Sequence, residues 1–263
     1  MPFATCTDQA KIYYEVRGAG EPLVLLSGQA NTHHWWDRVH ADFAAVHQTI
    51  VLDYLGTGQS DKPADAEYSV RRFAGDVISI LDELGIARAH VYGTSMGGKV
   101  AQWLAVDHPD RVGALVLGCT SVGGAHGLQA SPEITRALAQ ADPERARQVL
   151  VDLMYSPEWV RANPGPYGTL GDPSMPVHAR RGHLRASNGH DSWAVLDRVT
   201  APTLVLHGTD DVFSPADNAA ILAGQIPDAE LHYLDGARHA YFEEQREEAS
   251  AVVLRFLADH PLR

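Results

Sequence analysis

The run His90-Val91-Tyr92-Gly93-Thr94-Ser95-Met96-Gly97-Gly98 sets a serine between two glycines at G-x-S-x-G spacing. An apolar run precedes it and a helical pattern follows. A serine hydroxyl at its free pKa is a poor nucleophile, so it does chemistry only where a base takes its proton and donors receive the charge developing on an attacked carbonyl. A sharp strand-to-helix turn meets part of that need. It lifts the hydroxyl above the carboxyl edge of a sheet, and glycines two residues to either side let backbone and helix approach without a Cβ clash. The new helix aims its first N–H groups and its dipole at the site, which makes the Met96 N–H a candidate oxyanion donor. The bare motif read alone is an ordinary Gly-Ser turn; the strand before it and the helix after it favour the nucleophile.

In that context the segment resembles the nucleophile elbow of the α/β-hydrolase family, in which the chain order is nucleophile, acid, histidine. The resemblance implies an acid in Gly208-Thr209-Asp210-Asp211-Val212-Phe213-Ser214-Pro215, which looks like the family's G-x-x-D-x-x-x-P loop and selects Asp211 over Asp210. A second family position for the acid, at Gly118-Cys119-Thr120, carries no carboxylate. His239 stands in the loop before the final helix, where the family has G-x-G-H, with Arg238 in place of the usual glycine. The implied roles are proton transfer for His239 and tautomer control for Asp211.

The family usually shows His-Gly-x after an early strand, the third residue donating a second oxyanion N–H. Here the run is Ser27-Gly28-Gln29, so Gln29 is the implied donor, while the loss of the histidine removes a group that normally holds the loop. Trp35 and Trp36 follow closely and are candidates to wall a pocket for an apolar or aromatic substrate, as is Met154 further on; the alternative for the tryptophans is scaffold packing. Adjacent His33 and His34 invite a metal reading, but neighbouring side chains diverge and no third ligand stands at telling spacing, so no metal is expected. Asp53-Tyr54-Leu55-Gly56-Thr57-Gly58-Gln59-Ser60 resembles the family's D-x-R-G-x-G-x-S segment with Leu55 for arginine, and reads as structural. It has neither P-loop nor dinucleotide spacing. Lys99 reads as a lysine on a helix surface.

These residues need elements to place them. Apolar runs at Ile12–Val16, Pro22–Leu26, Thr49–Asp53, Ala89–Gly93, Val112–Gly118, Thr203–His207 and Glu230–Leu234 predict strands, with an extra one at Phe3–Thr7. Helical periods intervene at Tyr68–Leu84, Met96–Asp107 and Glu243–Asp259. That is α/β, a mostly parallel sheet of about seven or eight strands with helices on both faces. The alternation fails between residues 119 and 200, where Pro143–Met154 is helical and Ser156–Pro176 holds five of the 15 prolines. This predicts an inserted helical cap, with residues 1–118 and 201–263 as the core.

The whole chain excludes several other functions. Its 263 residues suit one elaborated domain, and 21 Lys+Arg against 33 Asp+Glu give a net charge of −12, the wrong sign for nucleic acid or an anionic membrane. No apolar stretch is long enough to span a bilayer. Two cysteines, Cys6 and Cys119, make no disulfide framework, and with no secretory signal pattern a cytoplasmic location is expected. The leading expectation is a cofactor-free serine esterase or lactonase acting on a small molecule, with Ser95, Asp211 and His239 catalytic and Gln29 and Met96 as oxyanion donors. Alternatives are hydrolysis of a carbon–carbon bond in a vinylogous diketone, with Arg180, Arg181 and Arg185 as conceivable cationic partners, and perhydrolase or haloperoxidase-like chemistry. A non-catalytic small-molecule receptor on the same fold is the alternative of a different class. The sequence leaves homo-oligomer formation open.

Overall fold

The computed structural model describes residues 2–262; Met1 and Arg263, the outer limits of the expected core segments, lie outside them. Eight strands form one sheet: β1 (Phe3–Thr5), β2 (Lys11–Arg17), β3 (Glu21–Leu26), β4 (His47–Leu52), β5 (Ala89–Thr94), β6 (Val112–Gly118), β7 (Thr203–Gly208) and β8 (Glu230–Leu234). Their order is β1-β2-β4-β3-β5-β6-β7-β8. The first two pairings are antiparallel and the remainder parallel. The central strands β5 and β6 are buried on both faces, which is why β6 reads as an unbroken apolar run, while β5 buries His90 and Thr94 as well. Alternation along β3 splits its side chains between two cores, Val24 and Leu26 on one face and Leu23 and Leu25 on the other.

The helices are α1 (His40–Ala44), α2 (Val70–Glu83), α3 (Met96–Asp107), α4 (Pro132–Leu138), α5 (Pro143–Met154), α6 (Pro157–Ala162), α7 (Val177–Asn188), α8 (Asp217–Gln225), α9 (Tyr241–Glu244) and α10 (Arg246–Asp259). α2 starts where the Ser69 hydroxyl accepts from the Arg72 N–H at 3.0 Å, and it buries Val70, Phe73, Val77, Ile80 and Leu81 as its period predicts. Gly85, at φ +65°, turns the chain away just beyond it. The single final helix expected from Glu243 is instead two, broken at Gln245 (φ −118°, ψ 49°). The cause is the Glu244 carboxylate, which is drawn back to the N–H groups of Arg238 and Ser156, each at 2.8 Å, so the chain bends before continuing.

α4 to α7 form an insertion between β6 and β7. Its two ends meet in a narrow neck: Gly123 bridges Asp191, and Ser192 N–H donates to the Val122 carbonyl at 3.0 Å. Ser131, Asp142 and Ser156 cap α4, α5 and α6, each with proline at the first turn, so the proline-rich stretch is largely punctuation between short helices. Lys99 is not a free surface lysine. Its ammonium reaches across to α7, donating to the Ser187 carbonyl and hydroxyl at 3.0 and 3.1 Å, and burial lowers its pKa to about 8. Both cysteines are buried and free, and no helix among the described residues is long and apolar enough to cross a membrane.

Candidate active site

Ser95 lies between β5 and α3 at φ 55° and ψ −122°, a backbone conformation that costs a non-glycine residue of order 1–3 kcal/mol. Its surroundings hold it there. The Ser95 N–H donates to the Gly118 carbonyl at 2.9 Å, and the Thr120 hydroxyl donates to the Ser95 carbonyl at 2.7 Å. A Cβ at Gly93 would run into the Gly97 carbonyl, and one at Gly97 into the Leu26 carbonyl, so strand, turn and helix meet only because both are glycine. Thr94 and Met96 are buried while Ser95 is partly exposed. The turn therefore presents one side chain outward.

Asp211 follows the carboxyl end of β7 and is buried, whereas Asp210 beside it is exposed. One Asp211 oxygen accepts from the N–H groups of Phe213 (2.9 Å) and Ser214 (2.8 Å); the other meets His239 Nδ1 at 2.7 Å and His207 Nε2 at 3.1 Å. Burial alone would raise this carboxyl, but the charge on His239 and the hydrogen bonds of His207 and His239 outweigh it and bring the pKa down to about 2. Asp211 is thus an anion at neutral pH. An ionised carboxylate only accepts, so His239 donates from Nδ1, and in the neutral ring the lone pair is then on Nε2. That nitrogen is buried and makes no hydrogen bond with any described residue. Contacts of this kind are commonly long in unliganded sites and tighten when substrate arrives.

His207 is the member that sequence reasoning missed. Its Nε2–H also donates to the Ser214 carbonyl at 2.8 Å, so one imidazole braces both ends of the Asp211 turn. The available signal was its place at the end of β7, four residues before Asp211.

The Gln29 and Met96 N–H groups, the two candidate donors, give no hydrogen bond to another backbone carbonyl among the described residues. Gln29 is partly exposed, and the next residue, Ala30, is at φ 58°. Trp35 closes on this loop: its ring lies so near Gly28 that a Cβ there would sit 2.6 Å from it, and its indole N–H donates to the Thr94 hydroxyl at 2.9 Å. Trp36, expected beside Trp35 as a pocket wall, is fully buried with Tyr92 and Phe242 at ring separations of 5.0 and 5.3 Å. Trp35 belongs to the same buried cluster and also meets Phe242 at 5.3 Å, so what distinguishes Trp35 is its contact with the Gly28 loop. Met154 ends α5 beside the histidine loop, its carbonyl accepting from the Ala240 N–H at 2.9 Å. The rings of His33 and His34 lie 4.1 Å apart rather than diverging, but each is held by its own carboxylate, His33 by the buried Asp53 at 2.7 Å and the exposed His34 by Asp37 at 2.8 Å; no cluster fit for a metal occurs among the described residues.

A buried polar group ties the insertion to the core near this site. The Tyr155 hydroxyl donates to Glu243 at 2.8 Å and accepts from Thr169, while Arg38 lies 3.5 Å from the same carboxylate. Burial pushes Glu243 up to about 7, against the opposing pull of Tyr155 and Arg38. A separate cleft of about 440 Å³, lined in part by Tyr68, Arg71, Trp103 and His190, shares no residue with the Ser95 constellation.

A serine raised on a strained turn, an imidazole with a free Nε2 and an anionic carboxylate behind it can carry out nucleophilic acyl transfer. The chain is similar to known hydrolases. Residues 21–245 match the family model described as alpha/beta hydrolase fold. The RutD protein of Variovorax paradoxus, named as a carbamate hydrolase, is 31% identical over 94% of this chain and 96% of its own length. A 2-hydroxy-6-oxononadienedioate/2-hydroxy-6-oxononatrienedioate hydrolase of a Pseudomonas species is 30% identical over 94% of this chain and 92% of its own. Among solved structures, Est816, described as an N-acyl homoserine lactone degrading enzyme, superposes with a TM-score of 0.85 at 30% identity, covering 97% of this chain and all of that one. The chain belongs to the alpha/beta hydrolase fold family and is a hydrolase.

Proposed function

We propose that this hydrolase cleaves a carboxylic ester or lactone of a small apolar or aromatic molecule through an acyl-enzyme on Ser95. His239 Nε2 takes the hydroxyl proton as the Ser95 oxygen attacks the carbonyl carbon. The resulting oxyanion is held by the N–H groups of Gln29 and Met96. Collapse breaks the bond to the alkoxide, which leaves with the proton from His239. Water, deprotonated by the same nitrogen, then releases the acid and restores Ser95. Asp211 keeps the imidazole in the required tautomer and stabilises it while charged. No cofactor enters any step. Residues 119–200 act as the cap over a core formed by 1–118 and 201–263, with Trp35 and Met154 as apolar walls.

The observation that carries this reading is the bond between Asp211 and His239, which fixes a free Nε2 in the same structure as the strained Ser95 turn. Support for an ester or lactone comes from the likeness to Est816 at 30% identity. Carbon–carbon bond hydrolysis keeps a claim through the likeness to the 2-hydroxy-6-oxononadienedioate hydrolase, but the exposure of Arg180, Arg181 and Arg185 on α7 speaks against them as partners of an enclosed diketone. The deciding experiment is a kcat/KM panel of p-nitrophenyl esters, acyl homoserine lactones, carbamates and 2-hydroxy-6-oxo dienoates. Esters or lactones are expected to lead by at least tenfold. A dienoate or carbamate in first place overturns the substrate class, and specific binding without turnover of any member returns the chain to the receptor reading.

A further inference from the structure

We infer that His183, on α7 of the insertion, is a positioning residue for the oxyanion loop, holding the Gln29 N–H in its working direction through the neighbouring Ala30 peptide; this rests on the ester or lactone reading above. The loop offers little support of its own: the Ser27 hydroxyl is buried without a hydrogen-bond partner among the described residues. The polar groups of the next residues are taken up largely by the insertion. Ala30 N–H donates to His183 Nδ1 at 3.3 Å, and the Ala30 carbonyl accepts from Asp172 N–H at 2.7 Å. Asn31 closes the arrangement, donating from Nδ2 to the Gln29 carbonyl at 2.9 Å while its Oδ1 accepts from Gly171 N–H at 2.7 Å. Ala30 sits at φ 58°, a left-handed geometry a non-glycine residue keeps only when its surroundings impose it.

His183 suits that task because its chemistry admits one state. Nε2 lies 2.8 Å from the Leu55 carbonyl, which only accepts, so the proton is on Nε2; Nδ1 faces an N–H, which only donates, so it carries the lone pair. Neither the other tautomer nor the imidazolium satisfies both. The ring is fully buried against Phe73, with Tyr54 and Tyr68 around it. Burial lowers its pKa to about 4, which keeps it neutral across the working range. The insertion thereby shapes the donor loop as well as covering the site.

Two substitutions separate the bonds. His183→Asn keeps an acceptor near the Nδ1 position for Ala30 and gives up Leu55. His183→Gln keeps a donor near the Nε2 position for Leu55 and gives up Ala30. With a p-nitrophenyl ester, the Gln variant is expected to lose about tenfold to a hundredfold in kcat with KM within about threefold. Its rate of labelling by a fluorophosphonate should fall in parallel, whereas the Asn variant should recover most of both. Equal losses in the two variants, or none in the Gln variant, overturn the inference while leaving the Ser95 reading in place. A wild type that neither labels nor turns over overturns both, with the Ser95 reading at fault. If the variants do not fold, imidazole nitrogen NMR of the wild type decides: a neutral ring protonated on Nε2 at pH 6 is required, and a Nδ1-protonated or charged ring contradicts the account.

Discussion

Asp211 receives hydrogen bonds from two backbone N–H groups and two imidazoles, and this dense set explains why a buried carboxyl stays ionised. The role is specific to the anion. Asp211→Asn presents an amide N–H to His239 in one orientation and a weaker acceptor in the other, favouring the tautomer that puts the proton on Nε2. A loss of roughly 10³–10⁴-fold in kcat is expected with the fold intact. Asp210→Asn, an exposed neighbour, should stay within about twofold of wild type, and steady-state kinetics on the pair checks whether the loop's acid is correctly chosen. Gly97→Ala fails for a different reason: the new Cβ meets the Leu26 backbone carbonyl, which no rotamer change relieves. We expect it to cost at least about 2 kcal/mol in urea denaturation, and a wild-type midpoint would contradict the close approach of α3 to β3.

Between elements, α5 and α9 are joined by the Tyr155–Glu243 contact, and the charge state of Glu243 sets its strength. Its folded pKa of about 7 lies above the ordinary 4.5, so the folded protein binds the extra proton between them. The stability it contributes is therefore complete below about pH 4.5 and is lost as pH rises through about 7. Asp37 opposes the charged form and Arg38 favours it. Glu243→Gln should be close to neutral at pH 5 and stabilising by on the order of 2 kcal/mol at pH 8; chemical denaturation at the two pH values reads the difference. An equal effect at both would show that Glu243 is ionised throughout. His183 and His190 act with the opposite sign: burial depresses both, to about 4 and about 3, so stability is lost as pH falls below the ordinary histidine value of 6.5. Elements were also where the sequence was least explicit. The β5 turn and the stripe of α2 were readable because their signals are periodic and local. The break at Gln245, the reach of Lys99 and the bracing by His183 depend on groups that meet only through the fold, several of them more than 80 residues apart in the chain.

For the molecule as a whole, the net charge of −12 disfavours anionic substrates on approach. Raising salt from about 0.05 M to about 0.5 M should increase kcat/KM for a succinylated p-nitrophenyl ester by several-fold and leave a neutral ester nearly unchanged. A neutral ester that responds equally would point to an effect on the fold instead. The scaffold was legible from order alone, since the strands and the helices α2 and α3 follow one another as expected. The burial of Trp35 and Trp36 beside Phe242 was not legible, because burial is a property of the assembled core. The central claim is that Ser95 is an activated nucleophile, and its most direct test is mass spectrometry of the intact protein and its peptides after reaction with a fluorophosphonate. One adduct per chain, mapped to Ser95, absent from Ser95→Ala and formed far more slowly in Asp211→Asn, is the predicted result. A folded wild type that acquires no adduct, or an adduct that persists in Ser95→Ala, would contradict it.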